Sequence, residues 1–340
     1  MTDLVDTLSW LVDIPSVTGG EAPIRDAIAE RLGDMPLEVI ADSLVVGEPQ
    51  SGAVLLVGHL DTVPLQGRVG ANVDGDRVHG LGSTDMKGGL AVMIHLIEAL
   101  GRGRVVAVFY AGEEGPLTGN QLGAILKAAP WLREASAGIV MEPTDRAVEA
   151  GCQGAINADV TFIGEPAHSA RPWLGDNAIT KAGDFLTFMR SLEPETHEIE
   201  GLEFHEVMSV TTARGGVARN VIPARFVLNV NYRFAPDRAP DDAVLHLRDV
   251  CAPADEVEVT DLAPAGSVDI EHSLFRSLIE RSGARVVAKQ GWTDVAQLTA
   301  AGIPAVNFGP GEPSLAHKPG ESVRIADLHW AHDSLLGVLI

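Results

Sequence analysis

The stretch Ala53-Val54-Leu55-Leu56-Val57-Gly58-His59-Leu60-Asp61 decides the fold. Its unbroken apolar run reads as a strand buried on both faces, the kind a parallel sheet uses. His59 and Asp61 follow at the C-terminal end, on alternate residues that point the same way. In open α/β sheets, ligands bind at that edge. The pattern recurs downstream. Glu113-Glu114 follow Val105-Val106-Ala107-Val108-Phe109-Tyr110, and Glu142 follows Ala137-Gly138-Ile139-Val140-Met141. Residues 88–100 read as a helix, with Leu90, Met93, Ile94, Ile97 and Leu100 on one face. Strands alternating with helices predict a mostly parallel α/β sheet whose ligand edge is lined with carboxylates.

Outward from this core, residues 4–12 and 22–32 carry apolar residues at helical spacing, and short strands are expected at 37–40 and 44–46. The texture changes at Gly151-Cys152-Gln153-Gly154. Residues 155–163 alternate apolar and polar, as a half-exposed strand does. A helix at 177–192, strands at 207–213 and 226–233, a helix at 239–250 and a strand at 256–260 complete a β-α-β-β-α-β order, the ferredoxin-like arrangement. Beyond residue 264 the α/β texture returns. It comprises a helix at 272–283, another after Gly291-Trp292-Thr293-Asp294, the buried strand Ala305-Val306-Asn307-Phe308 and a closing helix at 325–339. The expectation is a catalytic domain formed by residues 1–151 and 264–340, interrupted by an inserted domain at 152–263.

A chain of 340 residues favours two domains over one core. Its formal net charge of −22 argues against nucleic acid, whose binding depends on Lys and Arg neutralising phosphates. It argues equally against an anionic membrane surface. No apolar run approaches the roughly 18 residues of a membrane span. The start, Met1-Thr2-Asp3-Leu4-Val5-Asp6, lacks the basic and apolar regions of a signal peptide. Cys152 and Cys251 form no metal-type spacing and no disulfide framework, which fits a cytoplasmic protein.

Each chemistry-bearing residue has a plain reading when taken singly. His59 and Asp61 could be a loop histidine and a cap. Asp85, in Gly82-Ser83-Thr84-Asp85-Met86-Lys87-Gly88-Gly89, could be a helix N-cap. The glycines that follow it suit close backbone approach better than a simple cap. Glu113 and Glu114 are adjacent and so point differently, and Glu142 precedes a proline. His317 lies in a loop, Leu315-Ala316-His317-Lys318-Pro319-Gly320-Glu321. If these residues converge, the crowded carboxylates could not all ionise without cations. Two divalent ions would balance that charge, and an aspartate with two free oxygens can bridge such a pair. Mixed histidine and carboxylate ligation suits zinc, with cobalt or manganese as substitutes.

The segments Gly58-His59-Leu60-Asp61-Thr62-Val63-Pro64, Gly80 to Gly89, Gly112-Glu113-Glu114, Glu142-Pro143 and Ala316 to Glu321 resemble, in order, those of the dinuclear zinc aminoacylase/carboxypeptidase family. The resemblance spans nearly the whole chain. It implies a zinc-peptidase-like catalytic domain, with a mostly parallel mixed sheet flanked by helices, and an inserted ferredoxin-like domain through which two chains form a homodimer. It implies two zinc ions per chain, one held by His59, Asp85 and Glu142, the other by Asp85, Glu114 and His317. Asp61 would orient His59, Glu113 would be the general base, and a cis peptide would follow Asp85. His168, in Glu165-Pro166-Ala167-His168-Ser169-Ala170-Arg171-Pro172, matches a histidine that stabilises the oxyanion, and Asn220 matches a substrate-contacting position.

Arg233, Arg171 and Asn220 are candidates for holding substrate carboxylates, since Arg is suited to bidentate recognition. Thr293 and Ser314 are further hydroxyl donors. Glu142, rather than an aspartate, resembles the acyl-amino-acid deacylase and carboxypeptidase branch. The compact length and the Gly291-Trp292-Thr293-Asp294 segment resemble most the members of that family that hydrolyse a small N-acyl amino acid, and the resemblance implies N-succinyl-LL-2,6-diaminopimelate foremost as substrate. Acetylornithine or acetyl-lysine deacetylation, dipeptide hydrolysis and a non-catalytic binding relative are the other readings. A nucleotide-dependent oxidoreductase is disfavoured, because no Gly-x-Gly-x-x-Gly follows the first strand.

Overall fold

The computed structural model describes residues 3–64, 70–101 and 103–340. The chain divides into two compact units. One comprises Met1–Gly151, Ser267–Ala288 and Asp294–Ile340; the other comprises Cys152–Gly266 and Lys289–Thr293.

In the first unit an eight-stranded sheet runs in the order Leu37–Ile40, Ser43–Val46, Val105–Tyr110, Val54–His59, Ala137–Val140, Ala305–Asn307, Ala147–Ala150, Arg285–Ala288. Val54–His59 pairs in parallel with Val105–Tyr110 on one side and Ala137–Val140 on the other. All three strands are buried along their length, which is why their sequences are unbroken apolar runs rather than alternating ones. Antiparallel pairs at Ser43–Val46 and between Ala305–Asn307 and Ala147–Ala150 make the sheet mixed. A separate three-stranded sheet joins Ser322–Arg324, Arg77–His79 and Asn72–Asp74. These strands, like Ala147–Ala150 and Arg285–Ala288, are too short to show a period in the sequence.

The helix Lys87–Leu100 packs against Leu4–Val12 and Ile325–Leu339 and is buried from Lys87 to Ile97. Its first turn lies directly on the carbonyl of Met141, the residue before Glu142. A Cβ at Gly89 would overlap that oxygen. Glycine here lets the turn carrying Asp85 approach the strand end carrying Glu142.

The second unit is built on an antiparallel sheet in the order Glu195–Ile199, Leu202–Gly215, Arg225–Phe234, Gly154–Ile163, Glu256–Ala263. The helices Ala178–Lys181, Gly183–Ser191 and Pro240–Val250 belong with it, and Ile156, Phe162, Phe185, Leu228, Phe234 and Leu247 share one core. The expected β-α-β-β-α-β elements are present, and one edge strand is added. Glu195–Ile199 pairs with an elongated Leu202–Gly215. Its sequence, Glu-Thr-His-Glu-Ile, is mostly polar, as edge strands often are, and so gave little apolar signal.

Gly89→Ala should destabilise the first unit by about 1–3 kcal/mol, the usual cost of overpacking. A urea midpoint equal to that of the unsubstituted protein would show that the helix start can retreat from Met141 freely.

Candidate metal centre

His59 ends its strand fully buried. Its Nδ1 donates to the main-chain carbonyl of Asp61 at 2.9 Å, which fixes the tautomer and leaves Nε2 facing the carboxylates. Nε2 lies 3.1 Å from Asp85 Oδ1 and 3.7 Å from Glu142 Oε1. His317 approaches from the opposite side of Asp85. Its Nε2 lies 3.2 Å from Asp85 Oδ2 and 3.0 Å from Glu114 Oε1. Each oxygen of Asp85 thus faces a different imidazole, and each of those imidazole nitrogens has a different glutamate beside it. His317 adopts a left-handed backbone, φ 60°, and the peptide between Asp85 and Met86 is cis.

Asp61 does something other than expected. Its side chain stays 3.7 Å from His59 Nδ1, beyond hydrogen-bond reach, so the main-chain carbonyl orients the ring. The carboxylate instead accepts the backbone N–H groups of Gly112, Glu113 and Glu114 at 3.0–3.1 Å, and the hydroxyl of Thr18 at 3.0 Å. It therefore holds the turn that presents both glutamates. On the other flank, the buried carboxylate of Glu321 accepts N–H groups from Gly82, Thr84 and Asp85, each at 3.0 Å. Beneath the site, Tyr110 packs edge-on to His59 with ring centroids 6.4 Å apart. Its hydroxyl donates to Asp294, which also accepts from Asn120. Glu321, Tyr110, Asp294 and Asn120 were not singled out from sequence. Glu321 and Asp294 do sit within segments that were, at the ends of Leu315 to Glu321 and Gly291 to Asp294.

The electrostatics follow from this crowding. Burial disfavours a charged His59, but the hydrogen bond to Asp85, with Glu113 and Glu142 nearby, raises its pKa well above the ordinary value. The hydrogen bond to Asp85 raises His317 to about 9, against partial burial and aided by Glu114. Burial pushes Asp85 upward, yet hydrogen bonds from His317 and His59 prevail and hold it below the usual carboxylate range. Burial raises Glu113 well above normal; His59 opposes this, while Glu142 and Asp294 add to it. Glu114 is also raised, by burial and then by Asp85. Without metal, these neighbours favour the protonated imidazoles beside an ionised Asp85.

The donor set fits divalent metal. Ligand atoms of His59, Asp85 and Glu114 lie within 4.8 Å of one another. Tetrahedral ligation at about 2.0–2.1 Å places neighbouring ligand atoms roughly 3.3 Å apart, and the separations here run from 3.0 to 3.7 Å. Glu195, His197 and Glu206 in the second unit also cluster. There, however, Arg238 donates to both oxygens of Glu206, and Tyr232 adds a further hydrogen bond, so that carboxylate is already balanced by side chains.

Comparison with known proteins matches the model for peptidase family M20/M25/M40 over residues 55–339. The chain belongs to this peptidase family. A Mycobacterium tuberculosis protein with a provisional assignment as succinyl-diaminopimelate desuccinylase is 40% identical, covering 98% of this chain and 97% of its own. The succinyl-diaminopimelate desuccinylase of Corynebacterium glutamicum is 35% identical, covering 94% and 91%. Among solved structures, a tripeptidase from Staphylococcus aureus superposes with a TM-score of 0.80 at 22% identity, covering 99% of this chain and 96% of that one. It shows the M20 fold.

The remaining candidates divide between the units. Ser314 lies exposed in a short 3-10 turn of the first. His168, Arg171, Asn220, Arg233 and Thr293 belong to the second. His168 Nδ1 accepts the N–H of Ala170, and Ser169 N–H donates to the carbonyl of Asn220, so these two loops are tied together. Arg171 is exposed, and Arg233 is half-buried with its Nε on Asn231. Thr293 is buried, and its hydroxyl has no partner among the described residues. Among the described residues no helix is long and apolar enough to cross a membrane.

A histidine whose folded pKa is raised stabilises the fold below its unfolded value and stops doing so as pH rises through the folded one. For His317 that window runs from 6.5 to about 9. Chelator-stripped protein should therefore lose thermal stability across it, and His317→Ala should make the decline shallower. Melting curves of equal slope for both proteins would show that the imidazole carries no extra proton.

Proposed function

We propose that this chain is a metal-dependent amide hydrolase that cleaves N-succinyl-LL-2,6-diaminopimelate into succinate and LL-diaminopimelate. The observation that carries the hydrolase reading is Asp85, whose two oxygens each meet a different histidine, each histidine nitrogen having its own glutamate close by. The substrate reading is supported by the desuccinylases 40% and 35% identical over nearly the whole chain.

On this reading His59, Asp85 and Glu142 hold one zinc ion, and Asp85, Glu114 and His317 hold the other, with Co2+ or Mn2+ as substitutes. Such a pair, when bound, polarises the amide carbonyl and lowers the pKa of water to around 7. Glu113 is the general base: it takes a proton from the attacking water and returns it to the leaving amine. A carboxylate on the same turn as Glu114, and adjacent to it so that it points differently, is placed for that task. Asp61 fixes where Glu113 points, through the backbone of its turn. The second unit is read as the inserted domain of the family. By resemblance it supplies His168 as oxyanion donor, Arg171, Asn220, Arg233 and Thr293 toward substrate, and the contact of a homodimer. Ser314 would contribute from the first unit. A cytoplasmic location accords with this biosynthetic substrate.

Zinc-loaded protein should show its highest kcat/KM on N-succinyl-LL-2,6-diaminopimelate when assayed beside acetylornithine, acetyl-lysine and a few dipeptides. A preference for acetylornithine would overturn the desuccinylase assignment and leave the hydrolase intact. Glu113→Gln should retain metal while kcat falls by about 10²–10⁴, the range attributed to general acid–base catalysis. Retained turnover would remove Glu113 from the reaction.

A further inference from the structure

Glu321 is a buried acid, 4% exposed, that the proposed chemistry does not use. Its Oε1 accepts the N–H groups of Thr84 and Asp85, and its Oε2 accepts that of Gly82. The same two segments are joined twice more, by Gly80 N–H on the Glu321 carbonyl and by the Thr84 hydroxyl on the Ser322 carbonyl. Close by, the buried ammonium of Lys87 donates to the carbonyl of Ile14. Glu321 closes the loop that begins with His317, whose Nε2 lies 3.2 Å from Asp85 Oδ2. One short segment thus brings an imidazole to one oxygen of Asp85 while gripping the backbone of Asp85 itself.

We infer that Glu321 is a positioning residue. By holding the amides of Gly82, Thr84 and Asp85, it sets the direction of the Asp85 carboxylate relative to His317, and through it the affinity and geometry of the site. This rests on the metal-centre reading proposed above. The argument is one of valence. The three N–H groups lie in a turn that neither helix nor sheet satisfies, and a carboxylate has two oxygens with enough lone pairs for all of them. Water could satisfy them singly but would not tie them to the His317 loop. Asp61 does the equivalent for Gly112, Glu113 and Glu114. Glutamine at 321 would keep only one accepting atom, so it retains part of the grip, whereas alanine keeps none.

The test uses full-length chelator-stripped protein titrated with Co2+, read by visible absorption, together with hydrogen exchange at Gly82, Thr84 and Asp85 and steady-state kinetics of the reloaded enzyme. Glu321→Ala should weaken Co2+ binding by about 10–100-fold, the usual effect of losing a residue that orients ligands. It should alter the Co2+ spectrum, speed exchange at the three amides, and lower kcat with KM changed less than about twofold, as expected when transition-state geometry rather than ground-state binding is lost. Glu321→Gln should fall between. If the alanine protein does not fold, the glutamine protein carries the test. Wild-type Co2+ affinity, spectrum and exchange in a folded variant would overturn the inference. Failure of the unsubstituted protein to bind Co2+ would overturn the metal-centre reading, and this inference with it.

Discussion

Asp85 is the constraint on which the first unit turns. Its two oxygens face two imidazoles, each shadowed by a glutamate, so a single carboxylate links two histidine–glutamate pairs. The ligands come from separate strand ends and loops, so every element that carries one must arrive at the same place. The parallel strands Val54–His59 and Ala137–Val140, adjacent in the sheet, deliver His59 and Glu142 at neighbouring C-terminal ends. The helix beginning at Lys87 can sit over them because Gly89 presents no side chain to the Met141 carbonyl.

The turns that carry the clustered acids are held by hydrogen bonds as well as by apolar packing. Turns at a sheet edge leave backbone N–H groups without secondary-structure partners, and buried ones must be satisfied. Two buried carboxylates meet that need, and each comes from a segment that also carries a histidine of the cluster. Asp61 follows His59 and grips the Glu113-Glu114 turn, while Glu321 follows His317 and grips the Asp85 turn. The histidine segments therefore serve twice, once through a ring nitrogen and once through an acid. Displacing either segment would disturb ligands on two elements together, which makes the site one cooperative object.

The long elements were legible in sequence because burial on both faces writes an unbroken apolar run, and an amphipathic helix writes its period. His59, Glu114 and Glu142 were legible because each follows an apolar strand and Asp85 because it sits in a glycine-flanked turn, whereas His317, in a plain loop, joined them only through the family resemblance. The clamps were not. Asp61 was read as the partner of His59 because side chains on alternate residues are easy to pair on paper. Its actual partners are main-chain amides, which every residue but proline carries and no motif marks. The Tyr110–Asp294–Asn120 network joins residues far apart along the chain, and no local period can announce such a meeting. The Glu195–Ile199 strand escaped for a simpler reason, having almost no apolar residues to alternate.

The charge pattern explains why Glu113 can differ in role from its neighbours. In the metal-free chain, burial and nearby carboxylates make its ionised form costly. Divalent cations among crowded acids reverse that local balance, because they are the largest charges in the site. Glu114 and Glu142 lie within 3.0–3.7 Å of the histidine nitrogens and would spend their charge on such cations directly. Glu113 is on the same turn as Glu114, yet adjacency forces its side chain elsewhere, and it contributes no atom to those close pairs. On the proposed reading it is the carboxylate left to move a proton. One turn, fixed by one aspartate, on that reading offers two chemically identical side chains for two tasks, divided by the direction each takes.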